Sequence, residues 1–375
     1  MSRKNLLIGI TGSIAAKKTI DLINLLKSSY DIKVICTYEG TNYINKSDYE
    51  EIEIYDSWDD ERNNSYHIEL SRWADEFIIY PATANILSKI SYGVADDVLT
   101  STILMYQKRL KIFPAMHEEM YLNAESQNNL DKITQYHDIY GPRYGKLDAG
   151  DNGLGRLLEP NEVENILLSN KKLKIYIVSG PTKEYIDDVR FISNASSGKQ
   201  GRALALESHA RGYNTTLISS IIYKSTNHLK QYNFTDTKDL LRILNKLDMK
   251  QGYLFMPAAI ADFIPDLIKG KMDRRKGTTS IKLSPNIDII KQIKHENPEL
   301  IVVGFSAQLN TEIDIKKIKE KNVDYLIMNN VSNNDIGFSS DDNEVTIMDK
   351  EMNTKHLPFK NKYLIAKEIL DYVLP

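Results

Sequence analysis

Short apolar runs that stop at small or turn-forming residues recur along the chain. The first, in "NLLIGITGSIAAKKTIDLINLLKSSY", reads as a strand, a Gly-Ser turn and a helix with Ile20, Ile23 and Leu26 at helical spacing. "DIKVICTY" predicts a second buried strand. "EFIIYPATAN" predicts a third that ends in a Pro-Ala turn, and "LKIFPAM" a fourth that stops at a proline. Strands alternating with helical stretches imply βαβ units and a parallel sheet. Ligands of such sheets sit outside the carboxyl ends of the strands, so the tails "TGS", "CTY", "YPATAN" and "FPAM" are expected around one site.

After the polar stretch Ser169–Lys174 the pattern restarts. "IYIVSGPT", "NTTLISS", "GYLFMPAAIADF", "LIVVGFSAQ" and "DYLIMNNVS" are further apolar strands with helical stretches between them. The expected fold class is therefore α/β, with two doubly wound, Rossmann-like domains over residues 1–170 and 171–375. A basic stretch poor in apolar residues, "IKGKMDRRKGTTSIKLSPN", lies between Asp262 and Ile287 and reads as a mobile flap.

Composition narrows the function classes. A chain of 375 residues with 42% hydrophobic and 26% charged content can bury two ordinary cores. A net charge of -3 gives no global pull toward nucleic acid or a membrane surface, so any anionic ligand must be held by local basic groups. The single cysteine, Cys36, allows no internal disulfide and reads as a core residue, which together with the lack of a signal-like N-terminus implies a cytoplasmic protein.

The stretch Ser193–Gly212, "SNASSGKQGRALALESHARG", superficially resembles a phosphate-binding P-loop. A P-loop requires G-x-x-x-x-G-K-[ST], but Ser193 stands five before Gly198 and Gln200 follows Lys199. Gly198 and Gly201 can still let backbone approach an anion at a helix N-terminus, while Asn194 or Ser196 can equally be plain helix caps. No G-x-G-x-x-G follows either starting strand, which argues against a dinucleotide.

Longer words carry a family resemblance. "SGPTKEYIDDVRFISNASSGKQG", "PAAIADFIP", "VGFSAQ" and "NNVSNNDIGFSSDDNEVTIM" together resemble the phosphopantothenate–cysteine ligase domain. "TGSIAAKK", "HIELSRWADEFIIYPATANILSKISYGVADDVLT", "PAMHEEMY" and "GDNGLGRLLEP" resemble the phosphopantothenoylcysteine decarboxylase flavoproteins. In this order the two halves resemble the bifunctional proteins of coenzyme A biosynthesis, over nearly the whole chain.

For the first half the resemblance implies a flavodoxin-like domain that binds FMN. Gly12 and Ser13 would face its phosphate and Thr37 would add a hydroxyl. Pro81, Ala82, Thr83 and Asn85 would lie against the ring or the substrate, and Ser101 and Thr102 would also meet the cofactor. His67, in the family word HIxLxxWAD, would be a catalytic base. Two departures stand out. His117 occupies the asparagine position of P-A-M-N-x-x-M-W, and Tyr121 the tryptophan position. Ala149 stands where bacterial members carry a proton-donating cysteine. Either Asp148, Asp151, His117 or water replaces that donor, or the reduction is impaired.

For the second half the resemblance implies activation of 4′-phosphopantothenate by a nucleoside triphosphate, with cysteine as the acceptor. Asn194 would touch the acyl intermediate. Ala258, Ala259 and Asp262 would sit by the nucleotide, and Phe305 would pack on its base. Lys271, Lys317 and Lys321 would neutralise the phosphates, the last two lying four apart on one helical face. Mg2+ would accompany the nucleotide, and the fusion of the two halves favours CTP. No protein-borne metal site is read from the sequence. The family also implies a homo-oligomer with FMN sites between subunits, while the charge balance gives no nucleic-acid or membrane partner. The rival reading is a ligase whose flavin half is a scaffold or regulator, motivated by Ala149.

Overall fold

Every apolar run read as a strand in the first half pairs into one sheet. The computed structural model describes residues 3–58, 65–169, 173–273, 275, 277, 280–308, 318, 321–330 and 340–375. It divides into two compact units, Met1–Lys172 with His209–Gly212, and Leu173–Ser208 with Tyr213–Pro375.

The first sheet comprises β1 (Lys4–Ile10), β2 (Tyr30–Cys36), β3 (Ile54–Tyr55), β4 (Glu76–Ala82), β5 (Lys111–Pro114) and β6 (Asp138–Ile139). All its pairings are parallel, in the order β3-β2-β1-β4-β5-β6. Apart from the two-residue edge strand β3, this is the flavodoxin-like order, which reverses direction between β1 and β4. Leu6, Ile8, Ile10, Val34, Ile78, Tyr80 and Phe113 from the strands form the core with Leu22, Ile23 and Leu26 of the helix Thr19–Leu26. Each such side chain contributes about 1.5–3 kcal/mol by leaving water. Cys36 belongs to this core, and burial pushes its thiol up to about 12. An antiparallel hairpin, β7 (Arg143–Lys146) with β8 (Asn152–Arg156), follows the sheet.

In the second unit the strands are β9 (Lys174–Ser179), β12 (Asn214–Ser219), β13 (Lys230–Asn233), β14 (Tyr253–Met256), β17 (Ile301–Gln308), β18 (Tyr325–Asn330), β19 (Asp342–Asp349) and β20 (Thr354–Asn361). They form one sheet in the order β13-β12-β9-β14-β17-β18-β19-β20. The first six are parallel and follow the Rossmann order, which reverses between β9 and β14. Antiparallel β19 and β20 extend the β18 edge. Two short antiparallel ribbons stand outside the sheet: β10 (Lys183–Tyr185) with β11 (Phe191–Ser193), and β15 (Phe263–Pro265) with β16 (Leu283–Pro285).

Candidate active sites

In a doubly wound sheet the loops diverge where the strand order reverses and leave a crevice there. In the first unit the β1 and β4 tails meet at this point. The Thr11 hydroxyl, 1% exposed, donates to the Pro81 carbonyl at 2.7 Å and accepts from the Thr83 N–H at 3.3 Å. The Ala115 N–H donates to the Ala82 carbonyl at 2.9 Å, which adds the β5 tail. Three of the four tails expected around one site are thus bonded to one another.

The side chains there have distinct local jobs. Ser13 caps the one-turn helix Ile14–Lys18, its hydroxyl accepting from the Ala15 N–H. Thr83 caps the helix Ala84–Tyr92, on whose first turn Asn85 is exposed. Gly12 is required by its neighbour, since a Cβ there would lie 2.7 Å from Cβ of Glu39. Thr37 caps the helix Tyr38–Thr41 through the Gly40 N–H at 3.1 Å. Thr102 is fully buried within the helix Val98–Met105 and donates to the Val98 carbonyl at 2.7 Å, whereas Ser101 is half-buried. His67 lies in the first turn of the helix Tyr66–Trp73, which packs on Val98–Met105. Its ring meets Trp58 edge-on at 5.5 Å, and its Nδ1 is buried with no partner among the described residues. Short hydroxyl side chains and helix starts at the crevice fit a planar phosphate-bearing cofactor such as FMN.

His117 follows the β5 tail in extended conformation, at the start of the helix Glu118–Leu122. Its Nε2 lies 3.2 Å from the Asp151 carboxylate, and its Nδ1 bonds Glu119. Those two carboxylates, Glu119 first, hold the imidazole pKa above its ordinary value. Asp151 closes the tip of the β7–β8 hairpin, where Ala149 is exposed beside Gly150 at φ +98°. Two further bonds fix that hairpin to the His117 turn. Glu118 accepts from the Leu154 N–H at 2.8 Å, and the Met116 N–H donates to the Gly155 carbonyl at 3.1 Å.

The second unit repeats this logic between β9 and β14. The Ala259 N–H donates to the Gly180 carbonyl at 3.1 Å, and the Thr182 hydroxyl accepts from the Ala261 N–H at 3.1 Å. Asn194, exposed just past β11, donates its side-chain amide to the Ala259 carbonyl at 3.1 Å and the Ile260 carbonyl at 3.3 Å. This brings Asn194 to the turn that carries Ala258, Ala259 and the exposed Asp262. Gly198, at φ +69°, precedes the helix Lys199–Ala210, and the Ser179 hydroxyl donates to its carbonyl at 3.0 Å. Gly201 is needed for helix–strand approach, because a Cβ there would fall 2.3 Å from Oγ of Ser179. Lys271 is exposed, Phe305 is half-buried on β17, and Lys321 is half-buried. Lys317 lies outside the described residues.

Sequence reasoning passed over Thr11, Glu118 and Ser179, which tie these turns together. Thr11 and Ser179 were open to inference, since each is a hydroxyl residue at the tail of an apolar strand. Glu118 gives no such signal, because its partner on the hairpin lies 36 residues on.

Comparison with known proteins covers both units. The Flavoprotein family matches residues 1–171, and the DNA/pantothenate metabolism flavoprotein C-terminal domain matches residues 170–375. The coenzyme A biosynthesis bifunctional protein CoaBC of Borreliella burgdorferi is 34% identical, over 98% of this chain and 98% of its own. The CoaBC proteins of Haemophilus influenzae and Escherichia coli K12 are 32% and 31% identical over all of this chain and 98% and 97% of theirs. The chain belongs to the CoaBC family of bifunctional proteins.

Proposed function

We propose that the second unit joins cysteine to 4′-phosphopantothenate, and that the first decarboxylates the product to 4′-phosphopantetheine. The observation that carries this reading is that the Pro81 turn, bonded to Thr11, and the Ala259 turn, bonded to Asn194, fall at the reversal points of two doubly wound sheets. Membership of the CoaBC family supports it along the whole chain.

In the ligase unit the carboxylate of 4′-phosphopantothenate attacks the α-phosphorus of CTP. Pyrophosphate leaves with Mg2+, and the cysteine amine then displaces CMP. Asn194 contacts the acyl group. Ala258, Ala259, Asp262 and Phe305 hold the nucleotide, while Lys271, Lys317 and Lys321 meet the charge that develops on the phosphates.

In the flavin unit, bound FMN supplies a reversible two-electron oxidation at the cysteinyl carbon–sulfur bond, which lets carbon dioxide depart. His67 takes the thiol proton. The Pro81–Asn85 turn presents backbone and short side chains to the planar ring. Ala149 has no proton to give. His117, held by Asp151 two residues beyond Ala149, returns the proton to the decarboxylated product.

Exposed apolar side chains on the two ribbons, among them Val189, Phe191, Phe263 and Leu283, support self-association. No helix among the described residues is long and apolar enough to cross a membrane, and the net charge is -3, in keeping with a cytoplasmic enzyme of small substrates.

One incubation tests the proposal: 4′-phosphopantothenate, cysteine, CTP and Mg2+ with the purified protein, followed by mass analysis. Phosphopantetheine, carbon dioxide, CMP and pyrophosphate are expected. A colourless protein that releases no pyrophosphate refutes both halves. Bound FMN with joining but no carbon dioxide favours the second reading, a ligase with a flavin scaffold, which Ala149 motivates. Lys271→Gln is expected to abolish joining.

A further inference from the structure

Asp187 is fully buried, yet it belongs to the connection between Tyr185 and Phe191 that closes the β10–β11 ribbon. Its carboxylate is saturated with donors. One oxygen accepts from the Val189 N–H at 2.8 Å and the Arg190 N–H at 2.7 Å. The other accepts from the Arg190 guanidinium at 2.5 Å and from the Met272 N–H at 3.0 Å, 85 residues away in sequence. The Met272 N–H leads the donors that hold this carboxyl far below the usual carboxylate range.

The Met272 bond is one of a series. Ile268 donates its N–H to the Ile186 carbonyl at 2.9 Å, and Gly270 donates to the Asp188 carboxylate at 3.1 Å. The backbone on both sides of Lys271 is therefore fixed to the Asp187–Arg190 turn. On the other side of that turn the three residues of β11 lead directly to Asn194, which is bonded to Ala259. A rigid path thus runs from the backbone of Lys271 through one buried carboxylate to Asn194. Water cannot replace it, because Asp187 has no exposed surface.

We propose that Asp187 is a positioning residue of the ligase unit, setting Lys271 in register with Asn194 and the Ala259 turn. It touches no substrate. It acts by removing the freedom of a basic stretch whose next neighbours, Asp273 and Arg275, bond only locally among the described residues. Misplacing a charge-neutralising group by about 1 Å can cost on the order of 10²-fold in rate. The proposal rests on the ligase reading of Lys271.

The test uses the full-length chain and three variants: Asp187→Asn, Lys271→Arg and the double variant. Hydrogen–deuterium exchange followed by mass spectrometry reads the link without any activity. In Asp187→Asn, exchange is expected to rise in peptides over residues 268–273 and 187–190 and to stay unchanged over β9 and β17. Steady-state joining reads the consequence. Asp187→Asn is expected to lower kcat at least tenfold with the KM for cysteine unchanged, and to cost far less in the Lys271→Arg background.

Unchanged exchange over residues 268–273 overturns the proposal whatever the rates. Changed exchange with losses that multiply also overturns it, because Asp187 then acts on the fold and not through Lys271. Normal joining in Lys271→Gln refutes the role given to Lys271, and the proposal falls with that reading even if exchange behaves as expected. Should Asp187→Asn fail to fold, Met272→Pro removes the donor of the same bond from the other side and is read by the same two measurements.

Discussion

The Nε2 of His117 stands 3.2 Å from each oxygen of the Asp151 carboxylate, linking the β5 turn to the hairpin tip that carries Ala149. Glu119 and Asp151 favour the imidazolium form of this ring, a charged donor where an asparagine would be neutral.

His117→Gln should therefore separate the two outcomes of decarboxylation. Carbon dioxide release is expected to reach one equivalent per bound flavin, which is left reduced, and to continue only where dioxygen reoxidises it; the unsaturated thiol, two hydrogens lighter, forms in place of phosphopantetheine. A positioned acid contributes about 10²–10⁴-fold to its own step, so loss of saturated product should reach that range. Mass analysis of the thiol product decides it. Saturated product made at the unaltered rate would remove His117 from the reaction.

The pH dependence has a definite sign. The His117 pKa is raised from 6.5, so the donor is charged below the raised value and is lost as pH climbs through it. Saturated-product formation should fall on an alkaline limb lying above 6.5, and Asp151→Asn should move that limb to lower pH. A limb that stays in place in Asp151→Asn would show that the pair does not set the donor.

Gly155 tests the hairpin contact from its other end. A Cβ at that position would lie 1.9 Å from the Met116 carbonyl oxygen, a backbone atom with no room to yield. Gly155→Ala should cost about 1–3 kcal/mol of stability, as overpacking does, and displace the hairpin from the His117 turn. Thermal unfolding and the yellow colour of the purified protein report the two effects. A wild-type melting temperature would mean that the hairpin is free to move.

Much of this architecture was legible because an apolar strand and the turn that ends it sit together in sequence. "ITGS", "YPATAN" and "IYIVSG" each announce both a strand and its loop, whereas the short strands β3, β6 and β13 and the antiparallel pair β19 and β20 go unread. The three ribbons were not legible, since strands of three to five residues give no period to read. That Glu39 and Ser179 leave no room for a Cβ at Gly12 and Gly201 cannot be read from the sequence. No sequence window shows which backbone a buried carboxylate will serve, as Asp187 and Met272 illustrate. Thr102 shared a word with Ser101, yet the helix turns its hydroxyl back onto the Val98 carbonyl.

Lys362 predicts a second pH effect, this one on stability. It is 6% exposed, and burial, aided by repulsion from Lys199, pulls its pKa down to about 8 against the opposing pull of Asp341 and Asp342. Below about 8 the ammonium is charged in both folded and unfolded chains, and the folded state carries the full cost. Above it the folded state sheds the proton first, so the unfolded chain binds more protons and stability rises with pH toward the ordinary lysine value. Relative to Lys362→Met, the wild-type melting temperature should climb between pH 8 and 10. Parallel curves for the two proteins would contradict this.

Gly201 and Ser179 offer a compensating pair. The helix Lys199–Ala210 passes so close to the end of β9 that an alanine Cβ at 201 would meet Ser179 at Oγ, 2.3 Å away, and at Cβ, 2.5 Å away. Removing the hydroxyl alone leaves the second clash, so Ser179→Ala should not relieve Gly201→Ala. Ser179→Gly removes both atoms. By itself it forfeits the bond to the Gly198 carbonyl and loosens a strand end, and it should cost about 0.5–1.5 kcal/mol for the bond. The double variant should nevertheless be more stable than Gly201→Ala alone, with a coupling energy of about 0.5–3 kcal/mol. Denaturant unfolding of the four proteins gives the cycle. Additive losses would mean that this helix start is set by something other than contact with the strand.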